Sequence, residues 1–400
     1  MTCPVDHLAK SMADPRKTAA IAAANRVPIA DAVQITDAQS ARAVLRSKLV
    51  RQAGFGAEMI PAVATLANPP VALLDGEAHR RQRAATARFF SPVVVTTRYT
   101  ELMEQTVDNL ISRFRRDGHA RLEDMSMELS VTIAAEIVGL TESNQAGMAR
   151  RLNAFLGDGN KAGTDLVSVV RQRIRSFVAS LQFLLLDVRP AMRSRRRQPR
   201  EDVISHMVGE QYSLKEIMAE CVTYGVAGMI TTREFIVMAF WTLMERHDLA
   251  TRFLSLPREQ QLPFLEEILR TEPIVGVLSR RATEDIELPG ETPRKIAAGT
   301  LLEIDVRAAN SDGAAVGECP YTVDPDRPVA RKPGGAMFAF GDGVHRCPGG
   351  QVAMQETAVF LDRLLRVPGL RLPEPPKVGW KPLIEGYEIS GAVITCDRSG

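Results

Sequence analysis

Three things are scarce in this sequence of 400 residues: cysteine, net charge and long apolar runs. The five cysteines (Cys3, Cys221, Cys319, Cys347, Cys396) are odd in number and scattered, with neither metal-site spacing nor the pairing of a disulfide framework. That usage points to a reducing, cytoplasmic setting. A formal net charge of +2 makes no case for nucleic acid or an anionic membrane as the main partner. No segment approaches the roughly 18 uninterrupted apolar residues of a membrane span. The opening residues, Met1 to His7, lack the charged-then-apolar pattern of a secretion signal, so a soluble chain without a membrane anchor is expected. Six arginines stand between Arg189 and Arg200, but no aromatic residue interleaves them, and they read as a solvated linker.

What is present is concentrated near the C-terminus. Phe340-Gly-Asp-Gly-Val-His-Arg-Cys-Pro-Gly349 packs three glycines, a histidine and a cysteine into ten residues. Glycine allows tight turns and a close approach of backbone to ligand, so the loop presents Cys347 to something flat and bulky. The run from Gly350 has apolar residues three and four apart and predicts a helix. Cys347 then lies just before a helix N-terminus, where partial positive charge and free N–H groups favour a thiolate.

Other motifs lie upstream in a fixed order. His79 and Arg83, four apart on a predicted helix, share one face and suit a carboxylate. Helical patterns cover 101–116, 124–140, 144–157 and 165–187. Ser213-Leu-Lys-Glu216 is a capping box that opens a very long helical pattern reaching about Arg246. It contains Ala227-Gly-Met-Ile-Thr-Thr232. Glu267 and Arg270, three apart, can form an ion pair on a helix. Arg280-Arg-Ala-Thr-Glu-Asp285 reads as a strand. Val33–Thr36 predicts a strand followed by a helix capped by Asp37, and Tyr387–Thr395 predicts a hairpin. Residues 51–75 are loop-like and apolar. No internal repeat or low-complexity boundary appears, and the chain reads as one domain over 1–400.

Taken together these motifs resemble the cytochromes P-450. The cysteine loop matches Phe-x-x-Gly-x-(His/Arg)-x-Cys-x-Gly in register at Phe340, Gly343, His345, Cys347 and Gly349. His-x-x-x-Arg, Glu-x-x-Arg and Arg-x-x-Thr-x-Asp follow at His79, Glu267 and Arg280. The resemblance covers about residues 30 to 398. It implies a mainly α fold, a triangular helical prism with a minor β-rich region, around one haem b (iron protoporphyrin IX). Cys347 would be the axial ligand of the iron. His79, Arg83, Arg280 and His345 would neutralise the haem propionates, with Phe340 and Gly349 also shaping the cofactor loop. Thr231 and Gly228 match the oxygen-binding notch of the distal helix, and Thr223, Val226, Ala227, Ile230 and Val275 match pocket-facing positions.

The implied activity is insertion of one oxygen atom from O2 into an apolar or aromatic small molecule. Electrons would come from a ferredoxin and its reductase, with no nucleic acid involved. Arg80, Arg81, Arg88, Arg331, Lys332 and Arg346 fall near family positions on the cysteine side, where an acidic partner would be steered. One departure stands out: Ile230 occupies the family's acidic position. Glu234, one turn along the same face, is the candidate substitute. The departure also fits a haem-thiolate enzyme of another kind, driven by peroxide, coupling substrates or reducing nitric oxide. A haem-binding sensor is a further reading, with less support, because sensing needs no notch threonine.

Overall fold

The computed structural model describes residues 31–54, 66–156, 166–290, 293–327 and 334–398. Helices build most of it. The labelled ones are α1 (Gly76–Ala87), α2 (Leu122–Val138), α3 (Leu166–Phe183), α4 (Leu214–Tyr224), α5 (Thr231–Glu245), α6 (Arg258–Thr271) and α7 (Gly350–Leu364). Their apolar faces enclose one large core in which Phe240, Trp241, Phe264 and Phe360 are wholly or almost wholly buried.

The capping box forms as expected. Ser213 accepts from the Glu216 amide, and the Glu216 side chain accepts from the Ser213 amide, satisfying two donors at the start of α4. A π-helical segment, Gly225–Ile230, joins α4 to α5. The whole rod, Leu214–Glu245, is long and apolar enough to cross a membrane by length and composition. Yet 78% of its apolar window is buried inside the protein, which marks it as the core helix.

The β content is small. One four-stranded sheet has the order β1–β7–β4–β2, with β1 (Val33–Ile35), β2 (Val50–Gln52), β4 (Val277–Ala282) and β7 (Leu301–Asp305). Val33 pairs parallel with Leu302, and Gln52 pairs antiparallel with Arg280. A second apolar cluster, including Ile35, Leu45, Leu302 and Phe338, packs this sheet against the helix Ala38–Arg46. That helix is capped by Asp37, which accepts from the Ser40 amide. The remaining pairs are β3 (His119–Arg121) with β10 (Val393–Thr395), β5 (Ile286–Leu288) with β6 (Arg294–Ile296), and β8 (Lys377–Lys381) with β9 (Gly386–Ser390).

Three expectations are corrected. The arginine-rich stretch is no linker but a helix, Arg189–Arg197. Its Arg195 is 1% exposed and bonds Asp202, Glu142 and Thr141, so one arginine of the cluster is a core cross-link. Tyr387–Thr395 is not a hairpin: it breaks at Gly391, and its halves join β8 and β3 in different sheets. Cys319 is disulfide-bonded, whereas Cys221, Cys347 and Cys396 are free thiols. The charge candidates Arg331 and Lys332 lie outside the described residues.

Candidate active site

The cysteine loop is closed by its own backbone. The Cys347 amide donates to the Phe340 carbonyl at 2.8 Å, so the ends of the glycine-rich stretch meet. Gly343 is required twice over. Its φ is +66°, and a Cβ there would lie 2.3 Å from the Leu45 carbonyl oxygen. Asp342 fixes the loop from beside it, accepting from Arg46 Nε (2.8 Å) and from the Gly343 amide (2.7 Å). Phe340 lies against the start of α7, where a Cβ on Gly350 would touch its ring at 3.5 Å.

Cys347 lies deep among protein groups yet keeps exposed surface of its own. Desolvation raises its thiol pKa. The Gly349 and Gly350 amides and the Arg83 and Arg346 guanidinium groups act in the opposite sense, favouring the thiolate. The helix-start position therefore supplies donors as the sequence suggested, but burial outweighs them and the two guanidinium groups together.

The expected anion-binding residues converge. The His79 and His345 rings lie 4.2 Å apart between centroids, and His345 Nε2 is 3.2 Å from Asp75 Oδ1. His79 is buried and its Nδ1 has no hydrogen-bond partner. Burial, with His345 and Arg83 nearby, lowers its pKa to about 4. Arg280 is buried on β4, donates to the Ser279 carbonyl and makes no ion pair among the described residues; burial brings its pKa down to about 10. A buried guanidinium and an orphaned imidazole nitrogen are costly without an anion. Carboxylate groups of a bound cofactor are the missing partner that this set fits. Arg83 sits differently: its Nη2 donates to the Arg346 carbonyl, beside the cysteine.

On the core helix, the Thr231 hydroxyl donates to the Ala227 carbonyl at 2.5 Å, at the end of the π segment. A π turn leaves helix backbone groups without their usual partners and widens the rod, which makes a notch. Ala227 is exposed and Gly228 partly so. Ile230 and Met229, in contrast, are fully buried in the core. Ile230 is thus withdrawn from the pocket-facing set. Thr223 turns its hydroxyl back onto the Ala219 carbonyl, Val226 is half-buried against the core, and Val275 is half-buried and bridges to Gly386 through its backbone.

Glu234 is also turned away. It is fully buried, accepts the Ile389 amide at Oε2 and lies beside Arg233. The carboxyl group that lines a cavity between the core helix and the cysteine loop is Glu356 of α7. That cavity, of about 50 Å³, is shared with Ser130, Tyr224, Gly228, Thr232 and Gly349. Ser130 donates to its Oε1 at 2.9 Å, and desolvation raises its pKa to about 8. Nothing local singles out Glu356; only its placement nine residues beyond the cysteine, on the inner face of α7, could have suggested it.

Glu267 and Arg270 form a buried bidentate pair at 2.7 and 2.8 Å. Arg270 also donates to the carbonyls of Asn310, Pro320 and Thr322. Arg327, unforeseen from sequence, adds a third member by donating to Glu267 at 3.1 Å. The group pins the segment that leads into the cysteine loop.

A family model described as Cytochrome P450 matches residues 259–374. The chain is similar to nocardicin C N-oxygenase of Nocardia uniformis subsp. tsuyamanensis, at 28% identity over 87% of this chain and 85% of that protein. It is also similar to a methyl-branched lipid omega-hydroxylase of Mycobacterium tuberculosis, at 27% identity over 74% of this chain and 67% of that one. Among solved structures, CalO2 superposes with a TM-score of 0.77 at 22% identity, covering 92% of this chain and 91% of the other. P450BioI in complex with an acyl carrier protein superposes at 0.74 and 21% identity, covering 91% of both.

Proposed function

The chain belongs to the cytochrome P450 family and is a haem-binding monooxygenase, and from that premise we propose that it hydroxylates or epoxidises an apolar small molecule in the cytoplasm, as one domain over residues 1–400, with electrons from a ferredoxin and its reductase. The balance is one O2, two electrons and two protons in, and one oxygenated product and one water out. Haem b held through a cysteine thiolate supplies the O2 activation, the thiolate's electron donation favouring O–O cleavage.

The protein's own groups do the rest. Cys347, with two amide donors beside it, would ligate the iron. His79, Arg280 and His345 would hold the propionates, which relieves the buried charge and the orphaned imidazole. Arg83 steadies the Arg346 carbonyl and Phe340 supports the start of α7. Thr231 and the Ala227 carbonyl provide the polar notch. Protons reach it from Glu356 and Thr232, which line one cavity with Gly228, and Glu234 keeps a structural role. Exposed Arg80, Arg81 and Arg88 offer positive charge to an acidic ferredoxin.

The observation that carries this reading is the closed Cys347 loop, whose Gly349 lines one cavity with Gly228 and Thr232 of the core helix. The test starts from the ferrous–CO spectrum of the holoenzyme, which should show the long-wavelength Soret band of a thiolate ligand and lose it in Cys347→His. Compounds that shift the haem to high spin are then turned over with a ferredoxin pair under labelled O2. Product oxygen derived from O2 supports the proposal. Turnover by peroxide alone favours a peroxide-driven enzyme, the reading that the buried Ile230 keeps open.

A further inference from the structure

The outer face of α3 is apolar. Val170, Ile174, Phe177, Val178 and Leu181, continued by Leu185 in the π turn Leu184–Val188, are each 42–70% exposed. At about 100° per residue they fall within one arc roughly 100° wide. The inward face is already complete: Ala179, Phe183, Asp187 and Val188 are buried, and Asp187 pairs with Arg151 of the neighbouring helix Gln145–Leu156. The outward stripe therefore contributes nothing to the packing of the described residues. A continuous apolar stripe on an exposed helix marks a contact surface.

The stripe has an internal symmetry. Counted outward from the point between Phe177 and Val178, Ile174 and Leu181 stand at equal distances, and so do Val170 and Leu185. A two-fold axis through that point would set Phe177 against Val178, Ile174 against Leu181 and Val170 against Leu185 of an antiparallel copy. Self-complementarity of this kind is what an isologous dimer contact requires. The charges agree. Exposed Arg171 and Arg175 lie in the first half of the stripe, and the same axis places them opposite Leu184 and Ser180. A parallel arrangement would stack each arginine on its own copy. An anionic bilayer would be met by cations along the whole length, whereas here the second half offers Ser180 and Gln182.

We infer that this face of α3 is a homodimer surface, on which a second copy of the chain docks antiparallel about an axis beside Phe177 and Val178. The contact spans about 22 Å of helix, which places it in the small, reversible class of interfaces.

The test is the oligomeric state of the holoenzyme, measured by sedimentation over a range of concentrations. Wild type should show a monomer–dimer equilibrium, and Phe177→Arg should weaken it by about tenfold or more. The variant's haem spectrum and circular dichroism should stay unchanged, because the side chain points outward. Orientation is read by cross-linking. Val178→Cys should cross-link to itself. Val170→Cys should not, but should cross-link when mixed with Leu185→Cys. A wild-type protein that stays monomeric at all concentrations overturns the inference, as does self-cross-linking of Val170→Cys. Sedimentation of monomers with vesicles of phosphatidylserine and phosphatidylcholine, lost in Phe177→Arg, would reassign the stripe to a lipid surface.

Discussion

The backbone amide of Ile389 donates to Glu234 Oε2 at 2.8 Å, tying the middle of the long core helix to strand β9. The other carboxylate oxygen lies 2.7 Å from Arg233 Nη2. Glu234 is not among the residues that line the cavity shared by Gly228, Thr232 and Glu356.

Removing each acid should therefore have different effects. Glu356→Gln should send a several-fold larger share of reducing equivalents to hydrogen peroxide, since loss of a positioned proton donor commonly costs about 10²-fold or more. Glu234→Gln keeps an acceptor for the Ile389 amide and should couple like wild type. Product and peroxide are measured per NAD(P)H consumed. The reverse pattern would restore Glu234 as the relay.

Stability should depend on pH through the same buried acids. Burial raises the pKa of Glu220 and Glu234 to about 7 and of Glu356 to about 8, against an ordinary 4.5. The folded state then holds protons that the unfolded chain releases. Their stabilising effect is full below pH 4.5 and is lost as pH rises through 7 to 8. His79, lowered to about 4, acts oppositely but has finished titrating in the unfolded chain above about pH 7. The denaturant midpoint should therefore fall between pH 7 and 9, and fall less in Glu356→Gln. Identical slopes for the two proteins would contradict this.

The Glu267–Arg270 pair gives a stability prediction. Arg270 is fully buried and serves three carbonyls as well as Glu267. Arg270→Ala leaves Glu267 with only Arg327 as cationic partner among the described residues, and breaking a buried pair costs about 3–5 kcal/mol. Urea unfolding measures it, and a loss under about 1 kcal/mol would show that Arg327 alone compensates.

The iron potential should respond at Pro348. Gly349 and Gly350 already direct amides toward the sulfur, while Pro348 contributes none. Pro348→Leu adds a backbone donor beside the thiolate and should raise the reduction potential. An unchanged potential in a redox titration would mean that this amide points elsewhere.

Much of this was legible in the sequence because it is local. The Asp37 cap, the Ser213 capping box, the glycine positions around Cys347 and the Glu267–Arg270 spacing each depend on residues a few positions apart. The meeting of His79 with His345 followed from the family resemblance, because the residues are remote along the chain. What escaped was set by distant partners. Arg195 is buried only because Asp202, Glu142 and Thr141 surround it, and Glu356 matters only because α7 packs toward Ser130 of α2. Gly391 divides the C-terminal pattern because β3, far upstream, accepts its second half. Glu234 was placed on the correct helix, but β9 captured it from outside any local window.

The sheet order β1–β7–β4–β2 has a consequence for biosynthesis. Gln34 and Glu303, side by side across β1 and β7, are 269 residues apart in sequence. At translation rates of about 5–20 residues per second, β1 waits roughly 13–54 s before its neighbour is made. During that interval β1 and β2 have no sheet to join, and their unpaired edges are open to other nascent chains. The helical core between them can collapse first. The strands that frame β4 and β7, although first off the ribosome, are thus among the last to be locked, and slow translation upstream of β7 would prolong the period in which the chain needs chaperone cover.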